Sequence, residues 1–261
     1  MDKSFYRLSI FCYNERIDNP RILLLDIESG PNVSYTWGKW EQNVLGFEKE
    51  WELLCVGYKW LGETVQVAAR PNFKNEKALV TFAWKLLDKA DVVIAHNGKA
   101  FDLKKLNAKF VYYDMGPPSP YRTVDTLLIA RKYFAFNGNK LGDLGPHLNL
   151  GAKIDHIGFK LWLGCIKGDM NSWRTMIRYN KQDVNLLEKV YKRFLPYISN
   201  HPNLGMWIEK TVCPKCASGH LKSNGWRRTQ VGKYRMFKCL DCGGHGQIRV
   251  NEQDFKVATN A

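Results

Sequence analysis

The 261-residue chain is long enough for one α/β domain of about 200 residues and a small appendage. Its residues are 45% hydrophobic and 25% charged, as in a soluble globular protein, and no apolar run nears the ~18 residues of a membrane span. Lys and Arg outnumber Asp and Glu by 39 to 25, a net charge of +14 that points to a polyanionic partner through counterion release from phosphates.

Met1 to Arg16 mixes Asp2, Lys3, Arg7 and Glu15 with short apolar pieces. It lacks the uninterrupted apolar region and small-residue cleavage site of a secretory signal, so a soluble cytoplasmic protein, of a bacterium or of a phage in its host, is expected. Residues 21–29 form an apolar strand ending in acids, after which Gly30, Pro31 and Asn32 turn the chain. Residues 52–60 and 64–69, separated by Gly62 and Glu63, predict a hairpin. From Asn75 to Lys89 the spacing of Leu79, Val80, Phe82, Ala83, Leu86 and Leu87 is helical. A short buried strand follows over Asp91 to Ala95. Lys99 to Tyr112 is helical again, and its Lys99, Lys104, Lys105 and Lys109 read as a solvated face. Pro117, Pro118 and Pro120 force an extended passage into a strand at Arg122 to Asp125 and a helix over Thr126 to Phe134. Residues 135–170 show no pattern beyond a short helix from Leu141 to Leu148. A long helix runs from about 171 to Phe194, where Pro196 ends it, and His201 to Gly205 reads as a linker.

Three of these segments carry acids. In Asp26-Ile27-Glu28, residues two apart on a strand project to the same side, so both carboxylates can face one site. In Asn97-Gly98-Lys99-Ala100-Phe101-Asp102 a buried strand ends at a polar residue and a helix presents an acid one turn later. In Tyr179-Asn180-Lys181-Gln182-Asp183 the tyrosine and the aspartate, four apart, share a helical face. Asp125, after a strand, reads as structural, as does His96. His147 and His156 sit in an uninformative stretch.

D-x-E, then N-x-x-x-F-D, then Y-x-x-x-D, in this order, resembles the motif set of the DEDD superfamily of 3′–5′ exonucleases, and Tyr179 resembles the signature of its DEDDy branch. Residues 21–195 are similar to stand-alone relatives of the family B DNA polymerase proofreading domain. The element order matches an α/β, RNase H-like fold: a mixed five-stranded sheet flanked by helices. The departures are Ser29, where threonine is frequent, and residues 135–170, which match nothing in the family pattern and leave substrate preference open. The resemblance implies that Asp26, Glu28, Asp102 and Asp183 hold two Mg2+ or Mn2+ ions. Asp26 would bridge both, Glu28 and Asp183 would hold the water-activating ion, and Asp102 the second through water. Tyr179 would orient or deprotonate the attacking water, and Asn97 and Phe101 would meet the terminal nucleotide. Phosphodiester hydrolysis asks for such residues: hard divalent ions take oxygen ligands, and they generate hydroxide and offset charge on the phosphate.

The cysteines divide by position. Cys12, Cys55 and Cys165 are scattered and read as packing residues. Cys213, Cys216, Cys239 and Cys242 form two C-x-x-C pairs 22 residues apart, a four-thiolate set for one structural Zn2+. His220 and His245 are then spare. This segment resembles the zinc ribbons at the ends of some transposases, through C-P-x-C, N-G, G-K-x-R and C-x-D-C-G. Residues 203–261 hold ten Lys and Arg against four Asp and Glu. Trp226, Tyr234 and Phe237 interleave with Arg227, Arg228, Lys233, Arg235 and Lys238, so aromatics can stack on bases while cations hold phosphates.

The expected organisation is an exonuclease domain over 1–200, a linker over 201–205 and a zinc ribbon over 206–261. The expected partner is nucleic acid, single-stranded or 3′-ended DNA or else RNA, and no membrane. Two other readings stand beside this one: an endonuclease of the resolvase or integrase type, and a catalytically silent adaptor.

Overall fold

Strand β1 (Ile22–Ser29) forms where the apolar run predicts it, and it is the middle strand of the main sheet. The computed structural model describes residues 19–40, 43–155, 157–208, 210–230 and 232–250; Met1 to Arg16, with Cys12, and His156 lie outside them. After β1 come a small hairpin, β2 (Val33–Tyr35) and β3 (Gly46–Lys49), then the long strand β4 (Leu53–Trp60) and the short β5 (Gln66–Ala69). Helix α1 (Glu76–Asp88), strand β6 (Val92–Ala95), helix α2 (Asp102–Tyr112), strand β7 (Arg122–Asp125) and helix α3 (Thr126–Tyr133) follow. Then come α4 (Leu141–His147), α5 (Phe159–Ile166) and the 25-residue α6 (Met170–Phe194). The sheet order is β5-β4-β1-β6-β7; β4 runs antiparallel to β1 and β5, while β1, β6 and β7 are parallel. This is the mixed five-stranded, RNase H-like sheet expected from the element order.

Alternation along β1 sorts its side chains onto two cores. Leu23, Leu25 and Ile27 pack with Leu79, Val80, Ala83 and Leu87 of α1 and Leu106 and Phe110 of α2. Ile22 and Leu24 face the other way, against Val184, Leu187, Val190 and Tyr191 of α6. α6 starts where Asp169 accepts the backbone N–H groups of Asn171 and Ser172.

Three features depart from the sequence reading. The β2–β3 hairpin and α5 fall in stretches that carry no clear periodicity. α2 begins at Asp102 rather than Lys99, because the preceding turn holds Asn97 at φ +66°. Lys109 is not on a solvated face. It is buried, and its ammonium reaches Glu76 Oε1 at 2.9 Å and the carbonyl of Trp51 at 2.8 Å.

The C-terminal region has a short helix α7 (Gly205–Ile208) and a three-stranded sheet in the order β10-β9-β8, from β8 (Leu221–Thr229), β9 (Gly232–Cys239) and β10 (His245–Arg249). Phe237 is buried, and Gly246 lies opposite it, where a Cβ would come within 2.2 Å of the ring. Phe237 is therefore part of this sheet's core rather than of an exposed aromatic surface. The ribbon rests on the end of α6. Leu204 is buried, its N–H donates to the Pro214 carbonyl at 2.8 Å, and Lys215 Nζ donates to the Pro196 carbonyl at 2.5 Å. Cys216, Ala217 and Cys242 pack against the core that holds Tyr191 and Leu195.

Candidate active site

The face of β1 that buries Ile22 and Leu24 continues into Asp26 and Glu28, and the stripe of α6 that buries Leu187 and Tyr191 continues back to Asp183 and Tyr179. Strand period and helix period thus turn from apolar to acidic at the same place, so the packing of α6 on the sheet sets the site. Carboxylate oxygens of Asp26, Glu28 and Asp183 lie within 4.8 Å of one another. Asp102 stands beside them at the start of α2, where its Oδ1 accepts the Ile27 N–H at 2.9 Å. Phe101 is exposed at the rim, and Asn97 occupies the turn before it.

Asp125 shapes that turn. Its carboxylate accepts the backbone N–H groups of Asn97 at 3.0 Å and Lys99 at 3.2 Å while it caps α3 through Leu127 and Leu128. This occupies the carboxylate with structure, as the sequence reading had it. His96 is likewise built in. Its Nδ1 meets Thr126 Oγ1 at 2.9 Å, and burial holds its imidazole down to about 4.

Several participants went unread in the sequence. Asn180 is fully buried, and its Nδ2 donates to Asp26 Oδ2 at 2.6 Å and to the Asp26 carbonyl at 3.3 Å. Its Oδ1 has no hydrogen-bond partner among the described residues and faces Gly57, the residue of β4 that pairs with Asp26. A Cβ at position 57 would lie 2.4 Å from that oxygen, so only glycine lets α6 come this close. An isolated glycine in an apolar strand is a signal for such an approach. Lys153, from the stretch without pattern, places its Nζ 2.5 Å from Asp183 Oδ2 and 3.1 Å from the Tyr179 hydroxyl. Nothing in the sequence around it marks it. From α5, Trp162 donates to Glu28 and meets the Tyr179 ring edge-on at 6.2 Å. With Phe159, Gly30 and Pro31 it lines an open cleft of about 400 Å³ beside the acids.

Burial and mutual repulsion decide the charge state of the cluster. Asp26 is held well above the usual carboxylate range by burial, then by the charges of Asp102, Glu28 and Asp183, with Lys153 opposing. Burial and Asp183 raise Glu28 to about 7. Burial raises Asp102 to about 6, against the pull of the Ile27 N–H. Tyr179 is pushed up to about 12 by burial and Asp183. Burial lowers Lys153, but the charge and hydrogen bond of Asp183 outweigh this and hold the ammonium above the ordinary lysine range. Such a pocket of recessed oxygens, short of positive charge, suits a hard divalent cation.

The second cluster is different in kind. Cys213 and Cys242 sulfurs are 3.7 Å apart and Cys216 and Cys239 sulfurs 3.6 Å, with all four Sγ atoms within 4.8 Å of one another. Tetrahedral zinc with Zn–S of about 2.3 Å requires S–S edges of about 3.8 Å. His220 turns to Asp241 and His245 to Asn224, outside the thiol group. On the ribbon surface Trp226, Arg227, Arg228, Arg235 and Lys238 are exposed, and Lys233 and Tyr234 are half-buried. The Trp226 ring lies 4.3 Å from Lys233 Nζ and 5.5 Å from the Arg235 guanidinium.

Comparison with known proteins matches residues 47–195 to the family model described as RNase_H superfamily. No curated protein matches the chain. Among solved structures it is similar to the family B DNA polymerase from the hyperthermophilic archaeon Pyrobaculum calidifontis, with a TM-score of 0.55 at 13% identity. That match covers 82% of this chain and 32% of the polymerase, a likeness of fold over a third of the larger protein.

Proposed function

The chain belongs to the RNase H superfamily, and from that premise we propose that it is a metal-dependent 3′–5′ exonuclease of the DEDDy kind, releasing 5′-mononucleotides from DNA or RNA. The convergence of Asp26, Glu28 and Asp183, with Tyr179 one helical turn from Asp183, carries this reading. Asp26, Glu28 and Asp183 would hold divalent cations, with Asp102 as the fourth acid. Two bound Mg2+ or Mn2+ ions supply a water acidified toward neutral pH and positive charge against the phosphate.

The rest falls to the side chains. Tyr179, one helical turn from Asp183, orients the attacking water by hydrogen bonding or takes its proton. Lys153 offsets the repulsion among the acids and fixes Tyr179 against Asp183. Asn180 holds the Asp26 carboxylate in one rotamer. The cleft lined by Pro31 and Trp162 would receive a base, and Asn97 and Phe101, next to Asp102, would bound the terminal nucleotide. The ribbon, closed by one structural Zn2+, contacts the nucleic acid through Trp226, Arg227, Arg228, Lys233, Tyr234, Arg235 and Lys238.

Product analysis tests this. With magnesium or manganese, 5′-labelled DNA or RNA oligonucleotides should shorten stepwise, a 3′ label should appear as mononucleotide, and a single-stranded circle should stay intact. A cut circle would replace the reading with an endonuclease. Oligonucleotides bound but left whole would replace it with an adaptor.

A further inference from the structure

Among the described residues the β2–β3 hairpin joins no core, yet it is rich in large apolar side chains. Tyr35 is 57% exposed, Trp37 84%, Trp40 85% and Phe47 53%, and none of them joins any of the three core clusters. Its stem is nevertheless firmly tied. The Gly30 N–H donates to the Glu52 carbonyl at 2.8 Å, the Trp51 N–H donates to Asn32 Oδ1 at 2.8 Å, and Lys49 pairs with Glu52 at 2.9 Å. A well-anchored element that leaves aromatic faces in water marks an interaction surface.

The foot of the hairpin indicates the class of partner. Trp51 lies under two ammonium groups, Lys105 at 3.9 Å and Lys109 at 4.4 Å from its ring centre. Lys109 is committed to Glu76 and the Trp51 carbonyl, which leaves Lys105, half-buried against the rings of Trp51 and Phe101, as the ammonium of the two that a phosphate can reach. Lys105 also lies 5.2 Å from the ring of Phe101, and Phe101 adjoins Asp102 of the acid cluster. At the other end Lys39 sits 5.1 Å over the ring of Trp40. Aromatic faces and cations therefore recur from the acids to the hairpin. A protein partner would meet such faces with apolar and acidic side chains of its own, spaced as its fold dictates, whereas rings and ammonium groups recurring along a path to the acid cluster match a polymer of bases and phosphates. A single strand of nucleic acid uses both, stacking its bases on the rings and setting its phosphates by the ammonium groups.

We propose that the β2–β3 hairpin, with Trp51 and Lys105 at its foot, is a second nucleic-acid-binding surface that grips the single-stranded part of the substrate next to the acid cluster. The proposal rests on the nuclease reading for the identity of the strand, but its own test measures binding. Fluorescence anisotropy with labelled oligo(dT) of 3, 10 and 20 nucleotides, with magnesium and manganese left out so that nothing is cut while the ribbon keeps its zinc, compares the full-length protein with Trp37→Ala/Trp40→Ala, with Trp37→Phe/Trp40→Phe and with Lys105→Ala. Stacking of even one base predicts that the alanine pair binds the 20-mer at least about fivefold more weakly, with the trinucleotide unaffected. The phenylalanine pair should recover most of the affinity. Lys105→Ala should weaken the 10-mer and flatten its salt dependence. Equal affinity of wild type and alanine pair for the 20-mer would overturn the proposal. So would loss of self-association in sedimentation, with oligonucleotide binding intact, which would make the hairpin a protein contact. If the protein binds oligonucleotides as proposed but releases no nucleotide once metal is restored, the nuclease reading fails and the hairpin proposal stands.

Discussion

The acid cluster gathers Asp26 and Glu28 from the central strand and Asp183 from a helix far along the chain, whereas the thiol cluster draws its four members from two knuckles 22 residues apart. The first sits on a finished core. Leu23, Leu24, Leu25 and Val184 would be buried whatever stood at the strand's end, so the sheet can hold like charges together at their own expense. The second has little else beneath it: Phe237, Cys213, Cys239 and Lys215 are most of what the ribbon buries. One cluster is crowded acids resting on a fold that stands without them, and the other, closed on the proposed zinc, would be what its region folds around. Metal removal should therefore silence the first and dissolve the second.

The largest effect expected is on the ribbon. Cys239→Ser would take one thiolate from the proposed zinc, which in comparable sites is worth about 10–16 kcal/mol, so the amide signals of β8 to β10 should collapse while a trinucleotide is still hydrolysed. Ribbon strands that persist without zinc would erase the contrast. Next comes Asp26→Ala, which should lower turnover about 10³-fold or more at saturating magnesium without lowering the melting temperature of the metal-free protein. Asn180→Ala should weaken metal binding by about 10- to 100-fold, read from the manganese concentration that gives half of the thermal stabilisation. Gly57→Ala should mimic it, because its methyl group would displace the Asn180 amide. Tyr179→Phe should slow turnover by about 10²-fold at most, with oligonucleotide affinity unchanged; a mutant as fast as wild type across pH 6–9 would make the tyrosine mere packing.

The smallest effect is on stability. Glu28 titrates at about 7 in the folded protein, against an ordinary 4.5, so the folded state holds a proton that the unfolded state has released. Stability is then lost as pH rises from 4.5 toward 7. In metal-free protein, Glu28→Gln should gain on wild type by about 5–10 °C between pH 5 and pH 8, the size of roughly 2.5 kcal/mol. A constant difference across that range would show that the carboxylate is not held protonated.

The sequence exposed those parts of the site that obey a period. Asp26 and Glu28 follow from strand alternation, Tyr179 and Asp183 from helical spacing, and the main sheet from its apolar runs. Gly57 was legible in principle, as a glycine without a turn to make. Lys153 was not, because a residue in an irregular stretch reaches its place through tertiary packing that no local pattern records. The hairpin was hidden for the opposite reason: its aromatics are exposed, and a pattern of buried and solvated faces cannot mark a strand that buries neither. Phe237 misled by proximity, standing among exposed neighbours while Gly246 made room for it beneath the sheet.

The seam between ribbon and nuclease bears on how the protein can be divided. Lys215 reaches across to the Pro196 carbonyl, and Leu204, although it stands in a segment that reads as a linker, is buried near Tyr191 and Leu195. Cutting there would not detach a module cleanly. It would leave the end of α6 with a raw apolar scar, and the freed catalytic fragment would tend to clump in the test tube even with its sheet and acids in order. Shuffling this nuclease onto another tail would require a new cover for that scar as well as a new binding surface.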